Sequence, residues 1–244
     1  MSAALLEVDG LTKRFGGVTA VSDCSFAVPE GSVTALVGPN GSGKTTAFNL
    51  ITGYMRADGG AVRFAGADVR RPNPVSLARR GLTRTFQQAR IFPDLTLVEN
   101  MVAAVQQPWR AAFRRAVRGH ELDRALDLLQ EFGLARLARD RAGTLSYGQK
   151  KLLEFATVLM GEPRLVLLDE PTAGVNPVLV EQIEERVREL NARGLTFLLV
   201  EHNMNLVMRL CDPVVVLDHG TKLAEGPPAL VREDPRVLDA YLGG

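Results

Sequence analysis

Hydrophobic and polar positions change rhythm twice along the chain. In "LLEVDGLTKRFGGVTAVSDCSFAVPEGSVTALVG", from Leu5 to Gly38, short β-rich runs alternate with turns at Gly16-Gly17 and Pro29-Glu30-Gly31. That pattern predicts antiparallel strands leading into one buried strand, "VTALVG". A glycine-rich turn follows at once. "KTTAFNLITG" then reads as a short helix closed by Gly53, and "ADGGAVRFAGADV" returns to strands through a turn at Asp58-Gly59-Gly60.

From about residue 96 the apolar period becomes helical. Thr96 and Glu99 make an S/T-x-x-E box, followed by Val98, Met101, Val102 and Val105 on one face. "ELDRALDLLQEFG" repeats the pattern, with Leu122, Ala125, Leu126 and Leu129 expected inward and Gly133 as the stop. "LSYGQKKLLEFA" opens a third helix, capped by Ser146 and Gln149, with Leu152, Phe155, Ala156 and Leu159 inward. The α/β rhythm resumes with "RLVLLDEP", a fully apolar strand ending in two acids. Asn176-Pro177 caps a helix carrying Val180, Ile183, Val187 and Leu190, stopped by Gly194. A strand "LTFLLVEH", a helix "MNLVMRL", a hairpin "VVVLDHGTKLAEG" and a short helical tail from Pro227-Pro228 complete the chain. The fold class expected is therefore α/β, with an antiparallel β portion at the N-terminus and an α-helical block inserted in the middle.

The 244 residues suffice for one large α/β domain, and 46% hydrophobic against 23% charged residues is ordinary for a globular protein. Lys+Arg 29 against Asp+Glu 28 leaves net charge +1, so nothing global argues for a nucleic-acid partner. Cys24 and Cys211 stand alone, which disfavours a zinc site or disulfide framework and suggests core packing. "MSAALLEVDG" lacks a signal-peptide pattern, and no apolar run reaches 18 residues, so contact with a membrane is expected only through a partner. One basic stretch, "WRAAFRRAVRGH", carries Arg110, Arg114, Arg115 and Arg118 without an intervening acid. It reads as a solvated face, or as a contact with lipid headgroups or a membrane subunit.

"GPNGSGKT" matches G-x-x-x-x-G-K-[ST] between an expected strand and helix. Gly38, Pro39, Asn40, Gly41, Ser42, Gly43, Lys44, Thr45 and Thr46 are thereby assigned to phosphate binding. The backbone N–H groups wrap the phosphates, Lys44 supplies a point charge, and the Thr45 hydroxyl ligates Mg²⁺. Asp169 and Glu170 end a buried strand, where two carboxylates are costly unless they meet a cation. Asp169 is expected to support the metal and Glu170 to accept a proton from an attacking water. His202 lies just past the next strand, placed to bond a γ-phosphate, to hold the water, or merely to sit satisfied in its loop. Gln87 in "TFQQARIF" is a candidate for Mg²⁺ or water, although a surface glutamine is the commoner case. Phe15 is a candidate adenine stack or simply core.

Taken in this order, the P-loop, acidic strand end, downstream histidine and "LSYGQ" resemble the ATPase subunit of ABC transporters over essentially the whole chain. The resemblance implies a P-loop NTPase (RecA-like) core, ATP and Mg²⁺ as ligands, and ATP hydrolysis coupled to transport. It implies that Phe15 stacks on adenine, that Gln87 couples nucleotide to membrane subunits, and that Lys44, Glu170 and His202 act in catalysis. It places the metal at Thr45, Gln87 and Asp169. Ser146, Gly148 and Gln149 belong, on this resemblance, to a signature that meets the nucleotide held by a second ATPase subunit. The whole chain, 1–244, is then a single ATPase domain: 1–86 and 161–230 form the catalytic core, 87–160 the helical signature subdomain and 231–244 a C-terminal helical tail.

Two departures carry information. Tyr147 replaces the first glycine of the usual L-S-G-G-Q, and Asn176 stands where S-A-L-D has its aspartate, which leaves an inter-subunit role there open because Asn176 also caps a helix. "GLTRTFQQARIFPDLTLVEN", "LSYGQ", "AGVNP" and "EHNMNLVMRLCD…VLDHGTKLAEGPP" together resemble one ATPase of the branched-chain amino acid importers. In that family two different ATPases pair beneath two membrane-spanning permease subunits fed by a periplasmic binding protein. The expected place is the cytoplasmic face of the inner membrane, held there by the permeases. Urea and short-amide importers and lipopolysaccharide-export ATPases are close alternatives. A non-transport ABC module, or a P-loop kinase in which "LSYGQ" is only a helix cap, are the remoter ones.

Overall fold

The computed structural model describes residues 3–69, 73–85, 91–105 and 115–242, and is built as two sheets with one helix between them. Strands β1 (Ala4–Phe15) and β2 (Val18–Pro29) pair antiparallel across the Gly16-Gly17 turn. Then come β3 (Val33–Val37), α1 (Lys44–Ile51), β4 (Gly59–Phe64), β5 (Ala67–Asp68), α2 (Pro74–Arg79) and β6 (Leu82–Arg84). The helical middle holds α3 (Leu97–Ala103), α4 (Arg115–Glu131) and α5 (Tyr147–Leu159). The return is β7 (Leu165–Asp169), α6 (Pro177–Ala192), β8 (Thr196–Val200), α7 (Met204–Leu210), β9 (Val214–Asp218), β10 (Thr221–Gly226), α8 (Pro228–Glu233) and α9 (Pro235–Leu242).

The first sheet runs β2-β1-β4-β5, all antiparallel; the second runs β10-β9-β3-β8-β7-β6, parallel except for its β10 edge. The inner strands β3, β7, β8 and β9 of the second sheet are apolar on both faces because both faces are covered. Val33, Ala35, Val166, Leu168, Phe197 and Leu199 enter a core shared with α3 to α6. Leu36, Leu165, Leu167, Leu198 and Val200 enter a second core with β1, β2, β4 and α1. Phe48 and Ile51 of α1, fully buried, fill the space between the two sheets. Burial at roughly 25 cal/mol per Å² makes this double-sided packing the main stabilising term.

The capping expectations hold. Ser146 and Thr96 each close a reciprocal box, with Gln149 and Glu99, and the Leu179 N–H donates to Asn176 Oδ1 at 2.9 Å. Cys24 and Cys211 are buried, unpaired thiols. In α4 Ala125 and Leu129 are buried as expected, but Leu122 and Leu126 are 42% and 41% exposed, and Glu121, Leu128 and Phe132 are buried instead. The window that began at Glu121 cut into a helix starting at Arg115, and Leu-rich spacing at i, i+3, i+4 fits two neighbouring faces equally well. Phe132 decides between them by packing edge-on against Phe155, ring centroids 5.2 Å apart. Arg110 and Arg114 lie outside the described residues.

Candidate functional site

The strand order sets the site. β3 runs parallel between β8 and β9, and β7 and β6 follow beyond β8, so Gly38, Glu201, Glu170 and Thr85 all leave the sheet at its carboxyl edge. The chain moves outward from β3 and later returns to its far side, and such a crossover opens the crevice where α/β sheets take ligands.

In "GPNGSGKT" the backbone forces glycine at two points. Gly38 has φ 149 and Gly43 φ 99, and a Cβ on either would run into the carbonyl oxygens of Leu217 and Ala20 respectively. Lys44, the first residue of α1, folds back over the loop: its Nζ donates to the Gly38 and Pro39 carbonyls at 2.7 and 2.8 Å and to Ser42 Oγ at 3.4 Å. Burial pushes the Lys44 ammonium below its ordinary value and the Glu170 carboxylate pulls it back up. Asn40, Gly41 and Thr45 are exposed, and Pro39, Gly43 and Thr46 are half-buried. The loop is thus preformed around its own lysine with the α1 N-terminus open, which is how a fold binds phosphate.

β7 ends at Asp169, and Glu170 stands one residue past it with φ 48, a strained value for a non-glycine residue. Its N–H donates to the Val200 carbonyl at 2.9 Å, and Oε1 lies 2.8 Å from His202 Nε2. The two side chains come from adjacent strands and meet above the sheet edge. Asp169 is buried and paired to Arg84 Nη2 at 2.7 Å, both side chains being under 8% exposed. Burial raises the Asp169 carboxyl above the ordinary aspartate value and outweighs the downward pull of Arg84.

Arg84 was not singled out from the sequence. It also reaches Asn49 Oδ1 at 2.8 Å and Thr52 Oγ1 at 3.1 Å, tying β6 to the helix after the P-loop. The signal was an arginine inside a strand run, "GLTRTF", where a buried cation requires an acid partner. Tyr241 of α9 was missed too: burial pushes its phenol above the ordinary tyrosine value, and its hydroxyl lies 4.0 Å from Met204 Sδ at the start of α7.

For Mg²⁺ the donor set fits: a threonine hydroxyl at Thr45 and a carboxylate at Asp169 are hard oxygen donors. Among the described residues there is no group of three or more histidine, cysteine, aspartate or glutamate side chains that could hold a metal ion by themselves. Gln87 lies outside the described residues. Phe15 ends β1, 46% exposed with Lys13 Nζ 5.6 Å from its ring centroid, so it is a surface aromatic and not core.

The signature residues lie at the other end of the helical block. Ser146 Oγ accepts from the Gln149 N–H at 3.3 Å and Gln149 Oε1 accepts from the Ser146 N–H at 2.9 Å. A Cβ on Gly148 would come within 2.5 Å of Leu179 Cδ2 of α6, so that side chain would have to move to admit one. The Tyr147 hydroxyl donates to the Ala173 carbonyl at 3.3 Å, just after β7. Among the described residues no helix is long and apolar enough to cross a membrane.

Comparison with known proteins agrees with this geometry. Residues 21–173 match the model of the ABC transporter family, and residues 221–244 match that of the branched-chain amino acid ATP-binding cassette transporters. The chain is similar to the high-affinity branched-chain amino acid transport ATP-binding protein BraF of Pseudomonas aeruginosa, at 41% identity over 100% of this chain and 99% of that one. It is 40% identical, with the same coverage, to LivG of Salmonella typhimurium, which carries the same description. The ADP conformation of an ATP-binding cassette of an ABC transporter superimposes with TM-score 0.88 at 34% identity, covering 100% of both chains.

Proposed function

We propose, for a chain that belongs to the ATP-binding subunits of ABC transporters, that it powers the import of branched-chain amino acids as one of two paired ATPases. ATP binding and hydrolysis coupled to transport follow from the family. The substrate reading is supported by full-length similarity to BraF and LivG and by the match at 221–244. The site reading rests on one observation above others: Glu170 and His202, on adjacent parallel strands, meet at 2.8 Å beside the P-loop strand.

In this reading Lys44 exchanges the Gly38 and Pro39 carbonyls for phosphate oxygens, and the loop N–H groups hold the remaining charge. Glu170 accepts the proton of the attacking water while His202 orients the Glu170 carboxylate and the γ-phosphate under attack. Mg²⁺ bound at Thr45 and Asp169 would neutralise charge on the phosphates. Phe15 offers its exposed ring to adenine, and Gln87 links the site to the permease. Ser146, Gly148 and Gln149 close over ATP held by the partner ATPase, so two ATPs are sandwiched and hydrolysis reopens the pair.

The division into a core of 1–86 and 161–230, a helical signature subdomain of 87–160 and a tail of 231–244 belongs to the same proposal. So do a heterodimer with a second ATPase, two permease subunits, an upstream periplasmic binding protein, and residence at the cytoplasmic face of the inner membrane. Glu170→Gln should stop turnover and trap the ATP-bound dimer, read by size exclusion with ATP; wild-type hydrolysis in this variant overturns the base assignment. Vesicles carrying the assembled transporter should accumulate labelled leucine with ATP. Accumulation of urea instead would reassign the substrate.

A further inference from the structure

Glu201 is 3% exposed and, unlike the other buried acids of the site, its carboxylate is satisfied by neutral donors. Oε1 accepts from the Thr172 N–H at 3.0 Å and from the Thr172 hydroxyl at 2.5 Å. Oε2 accepts from the His202 N–H at 3.0 Å and the Asn203 N–H at 3.3 Å. A carboxylate offers about four lone-pair sites, and here all four are used. The donors come from two loops: Thr172 follows β7 and lies two residues past Glu170, whereas His202 and Asn203 follow β8.

The register explains why one side chain can do this. Asp169 lies opposite Val200 in the parallel pair, so Glu170 and Glu201 leave their strands at the same level. Glu170 is turned out by its φ of 48 and meets His202 above the sheet, while Glu201 is turned in beneath them. The upper contact is a single hydrogen bond between a partly exposed carboxylate and an exposed ring. Proton transfer needs this contact held to a close tolerance, which depends on where the two loops lie relative to each other.

We propose that Glu201 is a positioning residue for ATP hydrolysis: by bonding the Thr172 loop through one oxygen and the His202 turn through the other, it sets the offset between Glu170 and His202. The proposal rests on Glu170 and His202 acting on the water and the γ-phosphate. It does not depend on the transported molecule.

The electronic demand is specific, because all four partners donate. An amide in place of the carboxylate keeps its shape but retains one acceptor oxygen, so its NH₂ must face either the Thr172 donors or the His202 and Asn203 donors. One loop is then released. Glu201→Gln should lower kcat about 10- to 100-fold, the effect of a misplaced reacting pair, while KM for ATP changes less than about twofold because the P-loop hangs on β3 and α1. Binding stoichiometry for a nucleotide analogue should stay at the wild-type value, which separates mispositioning from loss of folded protein.

The test is a kinetic cycle on the full chain, assembled with its partners if the wild-type chain alone is silent. Thr172→Val removes one of the same bonds from the opposite side and serves where Glu201→Gln folds poorly. Each single variant should lower kcat, and the double variant should be no worse than the worse single, since both cut one tie. In a Glu170→Gln background neither should lower residual turnover further. Wild-type kcat in Glu201→Gln, additive losses in the double variant, or a loss carried by KM would each overturn the proposal. If Glu170→Gln itself turns over normally, it is the base assignment that fails, a result distinguishable from the others.

Discussion

Replacing Arg84 with methionine should unfold the chain well below the wild-type temperature, for a reason that lies in the apo protein. The Arg84 and Asp169 side chains are only 6% and 7% exposed and meet at 2.7 Å. Removing one partner of a buried pair leaves an uncompensated charge and costs about 3–5 kcal/mol. Methionine keeps the volume and loses the bonds to Asn49 and Thr52 as well. At roughly 2–4 °C per kcal/mol for a chain of this size, the melting temperature should fall by roughly 6–20 °C. Adding Asp169→Asn removes the stranded charge, so the double variant should regain most of the loss, a non-additivity expected of contacting residues. Reversible urea unfolding followed by circular dichroism measures this without reference to catalysis.

The pH dependence has a definite sign. Asp169 sits above its ordinary value in the folded chain, so its contribution is fully favourable below the unfolded aspartate value and is lost as pH rises through the folded one. Without Arg84 the folded value moves higher still, and the deficit of the variant relative to wild type should shrink as pH falls from 7. A variant within about 1 kcal/mol of wild type, or a double variant no more stable than the single, would refute the buried-pair reasoning.

Two further outcomes follow from single sites. Burial holds the Cys24 and Cys211 thiols up at about 11 and about 12, so neither should react with iodoacetamide in the native chain at pH 8, and both should react in urea; native labelling would contradict the packing. Ser146→Ala should cost about 1 kcal/mol by removing the α5 cap, whereas Ser146→Asn should keep stability yet lower ATP turnover. If the asparagine variant turns over normally, Ser146 serves only as a cap.

Elements with one strong period were legible in the sequence: α5 buries Leu152, Phe155, Ala156 and Leu159 as its spacing demanded. Where Leu and Ala populate adjacent faces, as in α4, the pattern placed Ala125 and Leu129 inward but also the exposed Leu122 and Leu126, and the choice belonged to Phe155 on another helix. The nucleotide loop was readable because its chemistry is local, compressed into the residues from Gly38 to Thr46. Arg84 and Glu201 were not, because their partners are distant in sequence and become neighbours only through the β8-β7-β6 strand order. No periodicity encodes that order.

Tyr147 shows the same limit from the other side. As a letter in "LSYGQ" it is a departure from glycine, whereas in the fold its hydroxyl bonds Ala173 and its ring edge lies against Gly174, in the loop after Glu170. Gly148 meanwhile packs on Leu179 at the start of α6, and Asn176 caps that helix. The first turn of α5 therefore leans on the segment that joins the hydrolytic strand β7 to α6. A glycine at 147 would have no side chain with which to make that contact. Because the cap closes on Gln149 and the tyrosine turns toward Ala173, the α5 N-terminus keeps Ser146 exposed while being braced from behind. In the paired arrangement proposed above, a shift of the loop beside one subunit's Glu170 would be felt by the same subunit's signature, which faces the other ATP. Tyr147 thus places a side-chain contact between the first turn of α5 and the loop that follows Glu170.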